Sequence, residues 1–285
     1  MNAQPGVAVA DPPVSTNAVD RRLVRAAIAT LIVGGYMALG FAFGLSADGY
    51  LLLGIPITIA FQLLVVRRPL RALWLRDAPP LTFTPRSVIA VVLVSIAPAT
   101  LILRGVQDGN LVIAAYGLAA IVGSVGAVYA LRAMDRGAVR STIQATLVNS
   151  AILVGVMVAY RLMSGGFSGS LVTAVVTLGI SLATYLPVVF VMEEVFFRSL
   201  LDPYLHGSST GPDRATALYG SALWGVWHLP VAFVSLGILT IPYLVAIHSA
   251  LGYVLVRSWR RTGNLGAPGI AHAVADALRN AVAVL

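Results

Sequence analysis

The sequence predicts an all-α protein, a polytopic transmembrane helical bundle of about eight or nine spans with its N-terminus in the cytoplasm. Of the 285 residues, 58% are hydrophobic and 11% are charged, whereas a soluble domain carries about 25% charged residues. The apolar residues form uninterrupted blocks of about 20, the length that crosses the hydrocarbon layer as a helix. The arginines between these blocks are distributed asymmetrically. These observations together predict an integral, multi-pass membrane protein.

The apolar blocks define nine candidate spans. Each span must be helical, because an unpaired amide group in lipid costs several kcal/mol. The second block and the last two are short, and the pair covering 215–256 also fits a hairpin that turns near Gly237. The predicted spans are 23–45, 50–66, 86–103, 111–131, 144–162, 171–192, 215–236, 239–256 and 267–284.

The arginines set the predicted orientation, since cytoplasmic loops of membrane proteins carry an excess of Lys and Arg. The chain has no lysine, and with the N-terminus inside, all arginines except Arg104, Arg161 and Arg279 lie on the cytoplasmic side. The net charge of +8 is therefore a topology signal and does not indicate a nucleic acid partner. The absence of lysine and the abundance of alanine suggest a bacterium, which predicts the plasma membrane as location.

The chain divides into three predicted segments. Residues 1–20 are polar, contain three prolines and lack a basic start, so we expect a disordered cytoplasmic tail and not a signal peptide. Residues 21–165 are predicted to form N-terminal transmembrane helices without recognised chemistry, and residues 166–285 a further set of transmembrane helices that contains the unusual polar residues. Cysteine is absent, which excludes disulfides, thiolate metal sites and cysteine nucleophiles.

Two adjacent carboxylates stand out. Glu193 and Glu194 are the only glutamates, and they end an apolar run. A carboxylate at such a depth costs about 2.5–3.5 kcal/mol on insertion scales, so it usually has a partner and a task. Arg198 follows Glu194 by four residues, which allows an ion pair on one helical face. Glu193 points about 100° away and is free to hold a water molecule. Alternatively, both glutamates only mark the cytoplasmic end of a span.

Two histidines accompany them. His228 follows Trp224 by four residues in an apolar run, and His272 precedes Asp276 by four residues in the last span. The topology allows both imidazoles to reach the same cavity as Glu193. A carboxylate and imidazoles around one water are suited to hydrolysis, because one group takes a proton, another polarises, and a further donor stabilises an oxyanion. The alternative for each histidine is a packed, hydrogen-bonded residue.

The other two histidines receive no chemical role. His248 also lies in an apolar run and is interpreted as a packing residue. His206 lies in a polar segment, where we expect it to be solvated.

At these residues the chain resembles the CPBP intramembrane endopeptidases, the CAAX proteases and bacteriocin-processing enzymes that are also called the Abi family. That family is marked by Glu-Glu-x-x-x-Arg, Phe-x-x-x-His and His-x-x-x-Asn/Asp, each on a separate transmembrane helix. The first motif is complete here, the second has tryptophan for phenylalanine, and the third uses the acid. The resemblance covers about residues 180–285, and it implies that the segment 166–285 is a catalytic transmembrane core. The matching residues are Glu193, Glu194, Arg198, Trp224, His228, His272 and Asp276.

The resemblance implies an intramembrane endopeptidase whose partners are the lipid bilayer and a peptide or membrane-protein substrate. It implies that Glu193 activates a water molecule with help from His228. Glu194 and Arg198 would shape the site, and Trp224 would line it. The active site would face the cytoplasm.

The resemblance also implies that His272 and Asp276 hold the oxyanion. An ionised aspartate cannot donate a hydrogen bond, so Asp276 is protonated, orients His272, or binds a metal. Members of the family are often described as metalloproteases, and Glu193, His228 and His272 are a possible ligand set for a divalent metal such as zinc. A metal-free glutamate mechanism fits the same residues, and both alternatives stay open.

Substrate and function carry alternatives as well. Protein prenylation is not expected in a bacterium, which disfavours a literal CAAX substrate relative to a bacteriocin leader or a membrane anchor. A non-enzymatic immunity or scaffold protein of the same family is one alternative, because a fold and a motif do not prove activity. An ion-coupled transporter is another, since intramembrane Glu, His and Asp mark ion paths. The charged groups gather toward the cytoplasmic half, however, which favours the protease.

Overall fold

The computed structural model describes residues 16–207, 213–232 and 237–285, and these ranges contain helices and no strand. The predicted all-α fold is confirmed. The predicted tail, 1–20, lies mostly outside the described residues, and the first helix already begins at Thr16. The eleven α-helices of the described ranges are α1 (Thr16–Phe43), α2 (Ala47–Ala60), α3 (Pro85–Val94), α4 (Ile96–Gln107), α5 (Leu111–Arg132), α6 (Arg136–Met163), α7 (Leu171–Val189), α8 (Asp202–His206), α9 (Arg214–Trp227), α10 (Thr240–Thr262) and α11 (Gly266–Ala283).

Fewer helices are long and apolar enough to span a membrane than the nine predicted blocks. Six qualify within the described ranges, or seven if α3 and α4, which meet at a bend of 47°, are taken as one span. The difference lies in the blocks at 215–236 and 267–284. In the first, α9 ends at Trp227 after 14 residues; in the second, α11 is 18 residues long and carries Asp276 and Arg279.

The segment after α7 is irregular, and it carries the two glutamates. Pro187 lies inside α7, which ends at Val189. The chain then makes a short turn and continues as a π-helical segment, Val195–Leu201, whose residues are all buried. Single π-helical turns are rare and are frequent at functional sites. Glu193 and Glu194 therefore lie where regular α-helical hydrogen bonding is interrupted.

Small residues on α11 bring it close to this irregular segment. The buried positions of α11 are mainly alanine and glycine, which allow helix backbones to approach closely in a membrane. Gly269 lies against the ring of Phe190, and a Cβ atom at this position would collide with the ring. Because the two elements approach so closely here, His272 of α11 reaches Glu194.

The first two helices support the end of α9. The Tyr50 hydroxyl donates to the backbone oxygen of Trp227 at 2.9 Å, and the two rings stack with centroids 4.9 Å apart. Tyr36 of α1 donates to the backbone oxygen of Tyr50 at 2.7 Å and packs edge-on against Trp227 at 5.4 Å. His228 follows directly, so α1 and α2 fix the position of a predicted site residue.

Candidate active site

The adjacent glutamates point into different environments, as the sequence predicted. The Glu194 side chain is fully buried, whereas that of Glu193 keeps 17% of its surface exposed. Glu194 contacts the guanidinium of Arg198 at 3.4 Å, and the Arg198 side chain is also buried. The predicted ion pair four residues apart is therefore present. Glu193 is the accessible carboxylate of the two.

Glu193 faces two residues of the segment Trp224–His228. Its Oε2 atom accepts a hydrogen bond from the indole N–H of Trp224 at 3.0 Å. The same oxygen lies 3.6 Å from Nε2 of His228, whose side chain is 22% exposed. The indole donor fixes the carboxylate, and it is a donor that phenylalanine at this position would lack.

The hydrogen bonds of His228 determine what its ring can do. Nδ1 of His228 lies 2.8 Å from the backbone oxygen of Trp224, and because a carbonyl only accepts, Nδ1 carries the proton of a neutral ring. Nε2 then presents a lone pair toward Glu193 at a distance beyond ordinary hydrogen-bond length. Two acceptors facing each other need a shared proton or a bridging water. This geometry suits a pair that holds and deprotonates one water molecule.

A second group of charges lies behind this pair, and we call it the buried charge row: Arg198, Glu194, His272, Asp276 and Arg279. Glu194 Oε1 lies 3.0 Å from Nδ1 of His272, and Nε2 of the same ring lies 3.3 Å from Asp276. Asp276 in turn contacts Arg279 at 3.2 Å. Both ring nitrogens of His272 therefore face carboxylates, which favours the doubly protonated ring. Positive and negative charges then alternate along the whole row.

Trp224 connects the two groups. The Arg198 guanidinium carbon lies 4.3 Å from the centroid of its ring, a cation–π arrangement. The ring of His272 packs edge-on against it with centroids 5.3 Å apart. Trp224 therefore contacts the buried charge row with its face and holds Glu193 with its N–H.

The structure brings one histidine to the site that the sequence did not assign there. The ring of His248 lies 4.1 Å, centroid to centroid, from that of His228, and 4.7 Å from that of Trp224. Its Nδ1 atom donates to the backbone oxygen of Leu244 at 2.8 Å. No spacing in the sequence relates His248 to the other site residues, so only its rarity in an apolar helix was available as a signal.

Arg279 was also missed, although the sequence held a signal for it. It was noted only as a basic residue near the far side of the membrane, yet it lies three residues after Asp276, which places both on one helical face. Besides contacting Asp276, it donates from Nε and Nη2 to the side-chain oxygen of Asn280 at 3.2 and 3.1 Å. Asn280 donates to the Tyr185 hydroxyl at 3.1 Å, which joins the row to α7.

His206, outside the membrane-spanning helices, lies apart from this site. It is partly buried at the end of α8, near the ion pair of Asp202 with Arg260. Burial and the positive charge of Arg260 lower the pKa of His206 below its usual value. The sequence assigned it no chemistry, and no contact links it to Glu193.

The predicted metal set does not fit the arrangement of these side chains. No three His, Asp or Glu residues within the described ranges are placed to hold one metal ion. Both nitrogens of His272 are directed at carboxylates. A ring that carries a proton on each nitrogen has no lone pair left to bind a metal. Glu193 and His228 can activate water without a metal. The participation of a divalent ion stays a prediction.

A small cavity adjoins Glu193. Its volume is about 10 Å³, close to the lower limit for holding one water molecule. Tyr36 and Trp227 line it together with Glu193 and apolar residues of α2 and of the π-helical segment. The described residues thus leave room for a water beside the carboxylate, whereas a peptide needs further opening of the site.

The fold and the site define a class of protein, an integral membrane helical bundle with an accessible carboxylate–imidazole pair in its interior. Residues 176–278 match the sequence model of the family described as type II CAAX prenyl endopeptidase Rce1-like. The match confirms the predicted resemblance and supports a membrane protease. It includes all seven predicted site residues and ends one residue before Arg279. Searches of curated proteins and of solved structures gave no significant match.

Proposed function

We propose that the protein is an intramembrane endopeptidase in which Glu193 and His228 activate water for attack on a peptide bond. The observation that carries the proposal is the convergence of three side chains. Glu193 comes from the irregular segment after α7, and Trp224 and His228 come from the end of α9. They meet at 3.0 and 3.6 Å. Glu193 and His228 remain partly accessible, whereas Trp224 is buried.

The first step forms the new C–O bond. A water held between Glu193 and Nε2 of His228 gives a proton to the carboxylate, and its oxygen attacks the carbonyl carbon of the substrate. The π electrons of the carbonyl move to its oxygen, which becomes an oxyanion. A positioned general base of this kind contributes about 10²–10⁴-fold to a rate. Trp224 keeps the carboxylate in place through its N–H.

The second step breaks the C–N bond. The proton taken up by Glu193 passes to the amide nitrogen, either directly or through His228, as the oxyanion collapses to a carboxylic acid. An amine leaves, and Glu193 returns to its ionised form. The step balances without an oxidant, a reductant or a second substrate.

His272 and Asp276 are proposed to act on the oxyanion side, as the resemblance implies. Both N–H groups of His272 are directed at carboxylates, at 3.0 and 3.3 Å. We infer that the longer contact, with Asp276, opens when substrate binds and releases one N–H toward the oxyanion. Preorganised donors are worth most where water is excluded, and His272 is buried.

The proposed cleavage depth is the cytoplasmic half of the membrane. α11 begins at Gly266, shortly after Arg257, Arg260 and Arg261, which the positive-inside rule assigns to the cytoplasm. His272 lies six residues into this helix, or about 9 Å along its axis. A substrate anchored in the membrane would present a bond close to its cytoplasmic end.

The proposed substrate is the membrane-proximal tail of a lipid-anchored or membrane-spanning protein. The name of the matching family refers to prenylated CAAX peptides, whereas the composition of this chain suggests a bacterium. Prenylated and unmodified tails are therefore both needed as test substrates.

The decisive test is cleavage by detergent-purified protein, with wild type beside Glu193→Gln and His228→Ala. We expect cleavage by wild type, and a loss on the order of 10²–10⁴-fold in each variant, with unchanged expression and membrane insertion. A chelator arm tests the metal, and we expect no effect. Equal cleavage by all three proteins would reveal a contaminant and refute the assignment. Full biological activity of Glu193→Gln in cells would favour the non-enzymatic alternative.

A further inference from the structure

A second cavity lies away from the candidate active site, at the predicted cytoplasmic ends of α1, α2 and α10. Its volume is about 530 Å³, which corresponds to on the order of ten to twenty water molecules at about 30 Å³ each. Basic and buried residues line it, among them Arg25, Arg68, Arg76, Ser199, Trp259 and the pair Asp202 and Arg260.

The cavity carries an excess of positive charge. Its one carboxylate, Asp202, is neutralised by Arg260, which donates from Nε at 3.0 Å and from Nη2 at 2.6 Å. Arg25, Arg68 and Arg76 have no carboxylate within ion-pair distance among the described residues. Three arginines therefore line one cavity without an anionic partner among the described residues, and of these Arg76 also donates from Nη2 to the backbone oxygens of Trp259 and Arg260 at 3.1 and 3.2 Å.

Two residues that line this cavity carry buried hydrogen-bond donors without partners. Ser199 and Trp259 are both buried and line the cavity. The hydroxyl of Ser199 and the indole N–H of Trp259 make no hydrogen bond among the described residues. Buried polar groups are usually paired, and each unpaired group requires an explanation such as an absent ion. The guanidinium groups suit a ligand that is anionic and only accepts hydrogen bonds, whereas the two donor atoms are closed off from the cavity in this structure.

We propose that this cavity binds the phosphate of an anionic phospholipid headgroup at the inner membrane surface. Basic pockets between transmembrane helices on the cytoplasmic side are suited to such headgroups. The surface next to the cavity favours a lipid over a soluble anion, because Leu63, Leu64 and Val65 are exposed in the π-helical segment Phe61–Val66 that follows α2. Acyl chains attached to a phosphate in the cavity would lie along these side chains.

The position of the cavity ties lipid binding to the candidate active site. Ser199 belongs to the π-helical segment Val195–Leu201, which also contains Arg198 and directly follows Glu194. A headgroup that fills the cavity would pack against Ser199 and so stabilise this irregular segment. The lipid site itself does not depend on the proposed protease activity, because it rests only on the cavity, its charges and the apolar surface beside it.

The test measures binding of phosphatidylglycerol to delipidated full-length protein by native mass spectrometry. The variant replaces Arg25, Arg68 and Arg76 by glutamine. Each basic residue near an anionic surface contributes about fivefold to affinity, so the triple variant should lose on the order of a hundredfold. The matched control replaces Arg86, Arg136 and Arg257, which are exposed and line none of the described cavities; we expect at most a small loss.

Further arms separate the possible outcomes. Arg68→Gln alone changes an exposed side chain, so it should fold as wild type does and still lose several-fold in affinity. Inorganic phosphate should displace the lipid only at a large excess; binding of free phosphate as tight as that of phosphatidylglycerol would overturn the lipid assignment. Equal losses in the triple variant and its matched control would show that only general surface charge attracts the lipid.

Discussion

The accessible pair Glu193–His228 and the buried charge row are built from neighbouring residues, yet they differ in how their charges are paired. In the row, each charge contacts one of opposite sign, and the exposed fraction of the side chain rises from 0% at Glu194 to 16% at Asp276 and 35% at Arg279. In the pair, the carboxylate is held by an uncharged N–H, and both partners are partly exposed. In the row, the charges neutralise one another. In the pair, Glu193 remains available as a base for the substrate.

This difference suggests a division of work between two adjacent glutamates. A carboxylate in an apolar bundle is costly, and the row offsets that cost at Glu194 by pairing it on two sides. The same pairing makes Glu194 a poor base, because each of its oxygens lies beside a cation, Oε2 beside Arg198 and Oε1 beside His272. Glu193 has no guanidinium partner within ion-pair distance among the described residues. We therefore expect it to contribute little to the free energy of unfolding and to remain available as a general base. Variants should separate the two roles.

The largest expected effect on stability is that of Glu194→Gln. The variant leaves Arg198 and His272 as buried cations without their shared anion, and breaking a buried ion pair costs about 3–5 kcal/mol. Glu193→Gln is the matched control, the same change one residue earlier, and we expect little loss of stability from it. Thermal unfolding of both purified proteins checks the comparison, and equal unfolding midpoints would show that the row does not stabilise the fold.

The largest expected effect on activity belongs to the accessible pair. His228→Gln should lower the cleavage rate by on the order of 10²–10⁴-fold, the usual contribution of a positioned base. Because both residues are proposed to act on one water, the double variant with Glu193→Gln should be no slower than the slower single variant. Cleavage rate constants of the two single variants and the double variant show whether the two losses combine. Multiplying losses would mean that the two residues act independently.

A smaller effect is expected from Trp224→Phe, which keeps an aromatic ring and removes the N–H donor to Glu193. A hydrogen bond to a charged group is worth about 1.5–3 kcal/mol, so the rate should fall roughly 10–100-fold. Trp227→Phe is the matched control for lost packing, since its indole N–H makes no hydrogen bond among the described residues. Similar rate losses in both variants would assign the effect to packing instead of to the donor.

The sequence predicted the class of fold and the proximity of the motif residues, because these depend on local signals. Apolar blocks predict helices, and spacings of four residues predicted the contacts Glu194–Arg198 and His272–Asp276, both present at 3.4 and 3.3 Å. It did not predict that His272 also contacts Glu194, since that contact depends on how closely α11 approaches the segment after α7. Spacing along one helix carries no information about such an approach.

The hydropathy pattern also did not predict where each helix ends. The block 215–236 was predicted as a span, but α9 ends at Trp227, just before His228. The end of a helix inside the bundle is stabilised there by the Tyr50 hydroxyl, which binds the Trp227 backbone oxygen. Because that donor comes from a residue 177 positions away, hydropathy along the block could not reveal it. His248 escaped assignment for the same reason, since its contact with His228 joins two helices.

The smallest expected effect concerns Arg279, at the exposed end of the buried charge row. Its side chain is 35% exposed, so screening by solvent limits its pairing with Asp276, and Arg279→Gln should cost about 1 kcal/mol in the free energy of unfolding. In an Asp276→Asn background the same substitution should cost almost nothing, because asparagine carries no charge to neutralise. Unfolding free energies of the two single variants and the double variant measure this coupling. If Arg279→Gln costs the same free energy of unfolding with Asp or with Asn at position 276, Arg279 acts through Asn280. If the cost vanishes with Asn, Arg279 stabilises the fold by neutralising Asp276 one helical turn away.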